Sequence, residues 1–357
     1  MAGTEPTPDQ INEQLELDEA KATRRLRQGL ISLGILIALV VGLLLAVPGL
    51  HGVTHQVVEM PAQLIVLAIV LEILSCAAYV VAFLQVFDRA PIRFGARVAL
   101  SELAFGAAVS LGGAGSVAVG ALLLVERGAQ PGVVAKRSAI LFLLTSGVNL
   151  ITLAAVGLAL WLGILPGNQD PLLSLVPGAV GVVVLLAFLA LPWATEKLIE
   201  DDRRGRLATA MRTTAGTVRA TTQLLFKPDW RLLGAFGYLW FDIGVLAVCF
   251  WATGHTPPLT TIVLAYQIGY LSNLLPIPGG IGVLDGSFVG MFVLFGVTAS
   301  HATSATIVYH AISLWVPATW GTVAFLLLRR SHGQPITLRP SLEERRAERR
   351  ARTRVRS

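Results

Sequence analysis

Leu274-Leu275-Pro276-Ile277-Pro278-Gly279-Gly280-Ile281-Gly282-Val283-Leu284-Asp285 lies deep within an apolar region, yet it holds two prolines, three glycines and one carboxylate. A continuous membrane helix does not accommodate that combination. Proline removes a backbone donor, and glycine weakens the helix. In lipid, each freed backbone group needs another partner, so a broken segment persists only where it packs in protein or lines a polar cavity. The rest of the chain reads as a frame for this break and for a second one like it.

Working outward, 54% of the 357 residues are hydrophobic and 14% are charged, whereas a soluble domain is about a quarter charged. The charges crowd residues 1–27, 88–97, 126–137, 196–231 and the tail after Arg329. Between them run apolar segments of about 20 residues, the length that crosses a hydrocarbon core of roughly 30 Å. The chain is therefore read as an all-α, polytopic membrane protein. Its net charge of +6 comes from basic residues flanking spans, which fits the positive-inside rule rather than a nucleic-acid surface. Cys76 and Cys249 sit singly in apolar runs, without metal-ligand spacing, and read as small packed hydrophobes. No metal or cofactor motif is present. Gly113-x-Gly115-x-x-Ala118 matches a dinucleotide fingerprint only superficially, because no strand precedes it.

Residues 1–28 form a polar, basic cytoplasmic tail, and Gly29–Val47 is an uncleaved first span. Gln63–Phe87 is the second span. Val98–Val125 is long enough to cross, but Gly112-Gly113-Ala114-Gly115-Ser116 interrupts it and both flanks are basic, so it reads as a hairpin entering from the cytoplasm. Ser138–Leu165 and Leu172–Ala194 are spans joined by an external loop. A long cytoplasmic loop, 196–231, has the spacing of a surface-lying amphipathic helix. Leu232–Thr253 goes out, Leu259–Val297 is a hairpin from outside, and Ala302–Leu328 returns to the basic tail 329–357.

The expectation is thus about six full transmembrane helices plus two broken re-entrant hairpins. They form one transmembrane domain, 29–328, arranged as inverted repeats 29–165 and 172–328. Each hairpin carries Gly-Gly-x-Gly, and each second span carries one acid, Glu72 or Asp242. Interrupted helices in inverted repeats frame midplane sites in many transporters. The break residues are Gly112, Gly113, Gly115, Pro276, Pro278, Gly279, Gly280 and Gly282.

Ionisable groups at apolar depth are costly to bury and mark functional sites by default. Four acids qualify, Glu72, Glu102, Asp242 and Asp285, with no Lys or Arg at similar depth. Such an acid either takes a proton or meets a cation. His310, mid-span in the last helix, is the group that would pair with Asp285 if packing brings them together. For each acid a plainer role stands beside the functional one: a helix cap for Asp285, interface solvation for Glu102, and a buried polar pair for Glu72 and Asp242. Asn273, Gln267, Tyr270, Tyr266, Asn149 and Tyr309 suit headgroup contact or interhelical bonding. The tryptophans, such as Trp161, Trp193, Trp230 and Trp251, read as interface anchors.

Leu275-Pro276-x-Pro278-Gly279-Gly280-Ile281-Gly282-Val283-x-Asp285 resembles the signature of the lysylphosphatidylglycerol synthase transmembrane-region family, which includes the flippase half of the multiple peptide resistance factor. Gly296-Val297, Tyr309-His310, Trp315-Val316-Pro317 and Gly321 resemble its last hairpin and span, and Phe105 to Gly128 its first broken segment. The family usually has Glu at the position of Asp285 and often Arg at that of His310. Its first break usually carries Pro-Gly and Gly-Glu, where this chain has Gly-Gly-Ala-Gly-Ser. The resemblance implies movement of a phospholipid or polyprenyl-linked lipid between leaflets. The aminoacyl transfer of fused members belongs to a separate domain, which is not expected in a chain that ends soon after its last span.

The expected protein is a lipid transporter or flippase of a bacterial inner membrane, with both termini cytoplasmic. Membrane lipids are its partners, a homo-oligomer is compatible, and nucleic acid is not. It is not expected to be an enzyme. The alternatives are a membrane-embedded enzyme acting on lipid headgroups, or a scaffold for a partner enzyme that uses the 196–231 loop and the basic tail.

Overall fold

The structure, a computed structural model, describes residues 57–88, 90–108, 114–198, 206–226, 229–270 and 281–330. For 108, 114–118, 196, 198, 206–210, 270 and 281–285 it describes the backbone alone. The expected first span, the N-terminal tail, residues 331–357 of the C-terminal tail, the candidate contact Asn273 and the break residues Gly112, Gly113, Pro276, Pro278, Gly279 and Gly280 lie outside the described residues.

Ten helices and no strand are found among the described residues. They are α1 (Ala62–Val86), α2 (Ile92–Ala108), α3 (Ala114–Glu126), α4 (Pro131–Trp161), α5 (Leu175–Leu198), α6 (Arg206–Leu225), α7 (Leu233–Ala252), α8 (Leu259–Tyr270), α9 (Ile281–Leu294) and α10 (Ala299–Arg330). Helices α1, α4, α5, α7 and α10 are long and apolar enough to cross a membrane. The protein is an all-α polytopic membrane protein.

Around an apolar core, its helices also carry apolar side chains on their outer faces. On α1, Val66, Val70 and Leu74 are exposed, while Glu72, Ser75 and Cys76 are buried. Apolar groups outward and polar groups inward is the arrangement that a hydrocarbon solvent selects. Trp161, Trp193, Trp230, Trp240, Trp251, Trp315 and Trp320 are all exposed.

The short helices stop where their sequences dictate. Proline opens α4 at its first position, where its absent N–H costs no helical bond. Helices α3 and α9 end alike, two residues before Gly128 and Gly296, each at φ 87°. The Gly128 and Gly296 N–H groups donate to Val125 and Val293, and those of Ala129 and Val297 donate to Leu124 and Phe292. Glycine takes this left-handed turn without steric cost, and the turn satisfies carbonyls that the helix end leaves open. Gly115 and Gly282 prove to be the second residues of α3 and α9, inside the helices rather than in the interruptions.

Packing centres on α1 and α7, which form the most extensive pair. Gly234 of α7 abuts Ala78 and Ala82, and Gly244 abuts Leu71, so the two helices run antiparallel. Helix α1 touches α2, α4, α7 and α10; α7 touches α8, α10, α1 and α4. Helices α2 and α3 pair with one another, as do α8 and α9. Helix α2 lies along α10 and α8 along α4, while α3 returns onto α4 and α9 onto α10. Each neighbour pair in the first half therefore has a counterpart in the second. Outside this set, α5 packs on α4 through Gly157, Gly178 and Gly181, whose backbones touch the facing helix.

Helix α6 occupies the loop expected to hold an amphipathic helix. It buries Ala215 and Val218 and turns Arg212 and Arg219 outward, and it packs on α5 and α4. Two helices extend further than hydropathy suggests. Helix α2 begins at Ile92, and α4 takes in Lys136 and Arg137. Arg137 is buried and donates to Val86 O at 3.2 Å and Asp88 at 2.9 Å. It closes the C-terminal end of α1, where a cation meets open carbonyls and the negative end of the helix dipole.

Candidate functional site: two carboxyl and tyrosine centres

The first centre is built on Asp242, midway along α7. Its Oδ2 accepts a hydrogen bond from the Tyr266 hydroxyl of α8 and another from Tyr309 of α10 at 2.9 Å. Glu72 of α1 faces Asp242 within side-chain hydrogen-bond reach. The Cys76 thiol, one helical turn along α1, points at Glu72 Oε1 from 3.9 Å. His310 lies within electrostatic range of Asp242.

An aromatic wall completes this centre. Phe288 of α9 has its ring centroid 5.6 Å from Tyr266, 6.0 Å from Tyr309 and 5.9 Å from His310. Gly269 of α8 makes room for it, since a Cβ there would collide with the Phe288 ring. The Ser287 hydroxyl donates to Gly269 O at 3.0 Å, tying α9 to α8. Five helices thus converge on one pair of carboxyls.

The second centre is simpler. Tyr79 of α1 donates to Glu102 Oε2 of α2 at 2.9 Å, and its ring lies 5.1 Å from that of Tyr238 on α7. Glu102 is 2% exposed, which overturns interface solvation as its role. Its carboxyl presses on Gly120 of α3, where any Cβ would overlap it. Tyr79 stands seven residues from Glu72, about 10 Å along the same face of the helix.

The structure therefore brings Glu72, Asp242, Tyr266, Tyr309 and His310 together and keeps Glu102 apart. Gln267 is buried, and its Nε2 has no hydrogen-bond partner among the described residues. Asn149 donates to Thr145 O of its own helix at 3.1 Å. Asp285 is the fifth residue of α9; its side chain, like that of Tyr270, lies outside the described residues, as does any pairing with His310. Tyr79, Phe288, Gly120 and Gly269 were not singled out from the sequence. The i, i+7 spacing of Tyr79 from Glu72 was a readable signal for the first. The fit of the two glycines against bulky partners had none.

An all-α membrane bundle with Glu72 and Glu102 buried and Asp242 half-buried among tyrosines defines the class: a multi-pass membrane protein with polar groups inside an apolar bundle. The chain belongs to the lysylphosphatidylglycerol synthase TM region family, whose model matches residues 30–321. It is also similar to a UPF0104 membrane protein of Methanothermobacter thermautotrophicus, 37% identical over 84 residues. That stretch covers 23% of this chain and 24% of the relative, so the match spans about a quarter of the relative's length. The membership associates the protein with a role in membrane lipids.

Proposed function

We propose that the protein moves a phospholipid or polyprenyl-linked lipid between the leaflets of a bacterial inner membrane, with both termini cytoplasmic. The carrying observation is the carboxyl and tyrosine centre where α1, α7, α8, α9 and α10 meet. Packing alone does not call for two facing carboxyls in an apolar bundle, because burying them costs several kcal/mol. A polar headgroup crossing the layer does need groups of this kind. The acyl chains would stay in lipid while the headgroup follows the seam between the hairpins.

The paired neighbours of the two halves and their matching glycine turns support an inverted repeat. The limbs α3, α8 and α9 have 13, 12 and 14 residues. At 1.5 Å per residue these reach about 20 Å, short of the roughly 30 Å core, which supports re-entrant hairpins. Asp285, near the start of α9, remains a candidate substrate contact beside the central pair.

Purified protein in liposomes carrying headgroup-labelled lipids tests this reading. The expected result is rapid equilibration of label between leaflets, lost in Asp242→Asn protein that assembles normally. Failure to move any lipid class, together with conversion of a headgroup seen by mass spectrometry, would establish an enzyme instead. For the topology, cysteines placed at positions 115 and 282 should react from opposite sides of the membrane.

A further inference from the structure

Glu72 and Asp242 face each other within hydrogen-bond reach, yet both offer only acceptors when ionised. The donors around them go elsewhere. Tyr266 and Tyr309 both serve Asp242 Oδ2, and the Cys76 thiol serves Glu72 Oε1. Glu72 Oε2 is buried with no donor among the described residues. Two carboxylates sharing a site do not both stay ionised, and a proton between them supplies the missing donor.

We propose that Glu72 and Asp242 together bind one proton, taken from water and returned to it, and that its binding and release are coupled to the transport step. The coupling clause rests on the lipid-transport reading; the proton site does not.

The surroundings are consistent with a proton rather than a metal cation. The titratable groups facing the pair are Cys76 from α1, Cys249 from α7, Tyr266 from α8, and Tyr309 and His310 from α10. Glu102 of α2 is bonded to Tyr79. The cations of α4, Lys136 and Arg137, stand near its start, with Arg137 held by Asp88. No grouping of three or more His, Cys, Asp or Glu that suits a metal occurs among the described residues. Each half of the molecule contributes one acid, and the acids meet across the antiparallel α1–α7 contact. A movement of one half against the other changes their separation directly, and with it the hold on a shared proton.

Infrared difference spectroscopy on the full-length protein in nanodiscs is the primary test. The expected result is a protonated-carboxyl stretch that shifts in deuterium oxide, is lost in Glu72→Gln, and is retained in Glu72→Asp. Elution as the native species controls for folding. Absence of such a band from the wild type, or its persistence in Glu72→Gln, would overturn the proton site. Loss of the band on adding sodium at constant pH would also overturn it and assign the pair to a metal cation. In liposomes, a transmembrane pH step should change the wild-type transport rate and leave that of Glu72→Gln unchanged. A wild-type rate indifferent to the step, with the band present, overturns the coupling alone. No transport by any variant, with the band present, refutes the lipid-transport reading while the proton site stands.

Discussion

The α2–α3 and α8–α9 pairs share a scaffold and exchange its chemistry. Glu102 stands ten residues before Gly112-Gly113, and Gly269 stands ten residues before Gly279-Gly280. Gly120 lies eight residues before the capping Gly128, and Phe288 lies eight before Gly296. At matching places the first half sets a large acid on a glycine, and the second sets a glycine under a large ring. The partners are reversed too. In the first half the span supplies the tyrosine and α2 the acid, Tyr79 to Glu102. In the second α8 supplies the tyrosine and the span the acid, Tyr266 to Asp242. Putting the acid on the span places it at the α1–α7 contact, opposite Glu72. Putting it on α2 leaves it with Tyr79, seven residues along α1 from Glu72. Similar frames thus yield one site with two facing acids and one with a single acid.

The two pairs are also held differently. Helix α2 presses on α10 at Gly321, where a Cβ would strike the Leu100 carbonyl. Helix α8 meets α4 through the side chains of Leu264, Leu153 and Leu160. A backbone contact cannot yield as side chains can.

The largest expected effect breaks the comparison at its acids. Asp242→Asn should slow lipid transport at least about tenfold more than Glu102→Gln, the rate equivalent of about one charged hydrogen bond. Equal losses in a liposome assay would make the two centres functionally alike. Next, Gly321→Ala should destabilise the protein by about 3 kcal/mol, because the added methyl meets a backbone that cannot move aside. The drop should appear as earlier thermal unfolding in detergent, whereas Leu153→Val at the softer contact should cost about 1 kcal/mol.

The tyrosines give a smaller, sharper contrast. Tyr79→Phe removes the Glu102 donor and should cost about 2 kcal/mol, while Tyr309→Phe leaves Asp242 its bond from Tyr266 and should cost about 1 kcal/mol. Smallest, Gly128→Ala and Gly296→Ala should each cost about 1 kcal/mol, since both force a side chain into left-handed backbone. Unequal costs at these two turns would mean that the matching geometry conceals different support.

Much of this molecule was legible along the chain. Hydropathy marked the five described spans. The lone acids Glu72 and Asp242 stood out against apolar neighbours, as buried charge must in a lipid-facing helix. Helix ends were less legible. Arg93, Arg97, Lys136 and Arg137 lie inside helices that charge alone would have stopped short of, because a helix continues into the interface wherever its backbone bonds allow. Glu102 read equally well as a solvated hairpin end, and only the seat on Gly120 and the Tyr79 hydroxyl make it a buried group.

The sequence by itself determined that the protein is a helical membrane protein with several apolar spans and a few acids misplaced within them. Those facts are local: they follow from the transfer of each segment from water to hydrocarbon. Which acid meets which partner was decided by tertiary structure alone. Asp242 receives hydroxyls from residues 24 and 67 positions away, and it faces a carboxyl from the other half of the chain. No local periodicity encodes such a meeting. It follows from glycine contacts that let α1 and α7 approach closely, and from the packing of α8, α9 and α10 around them.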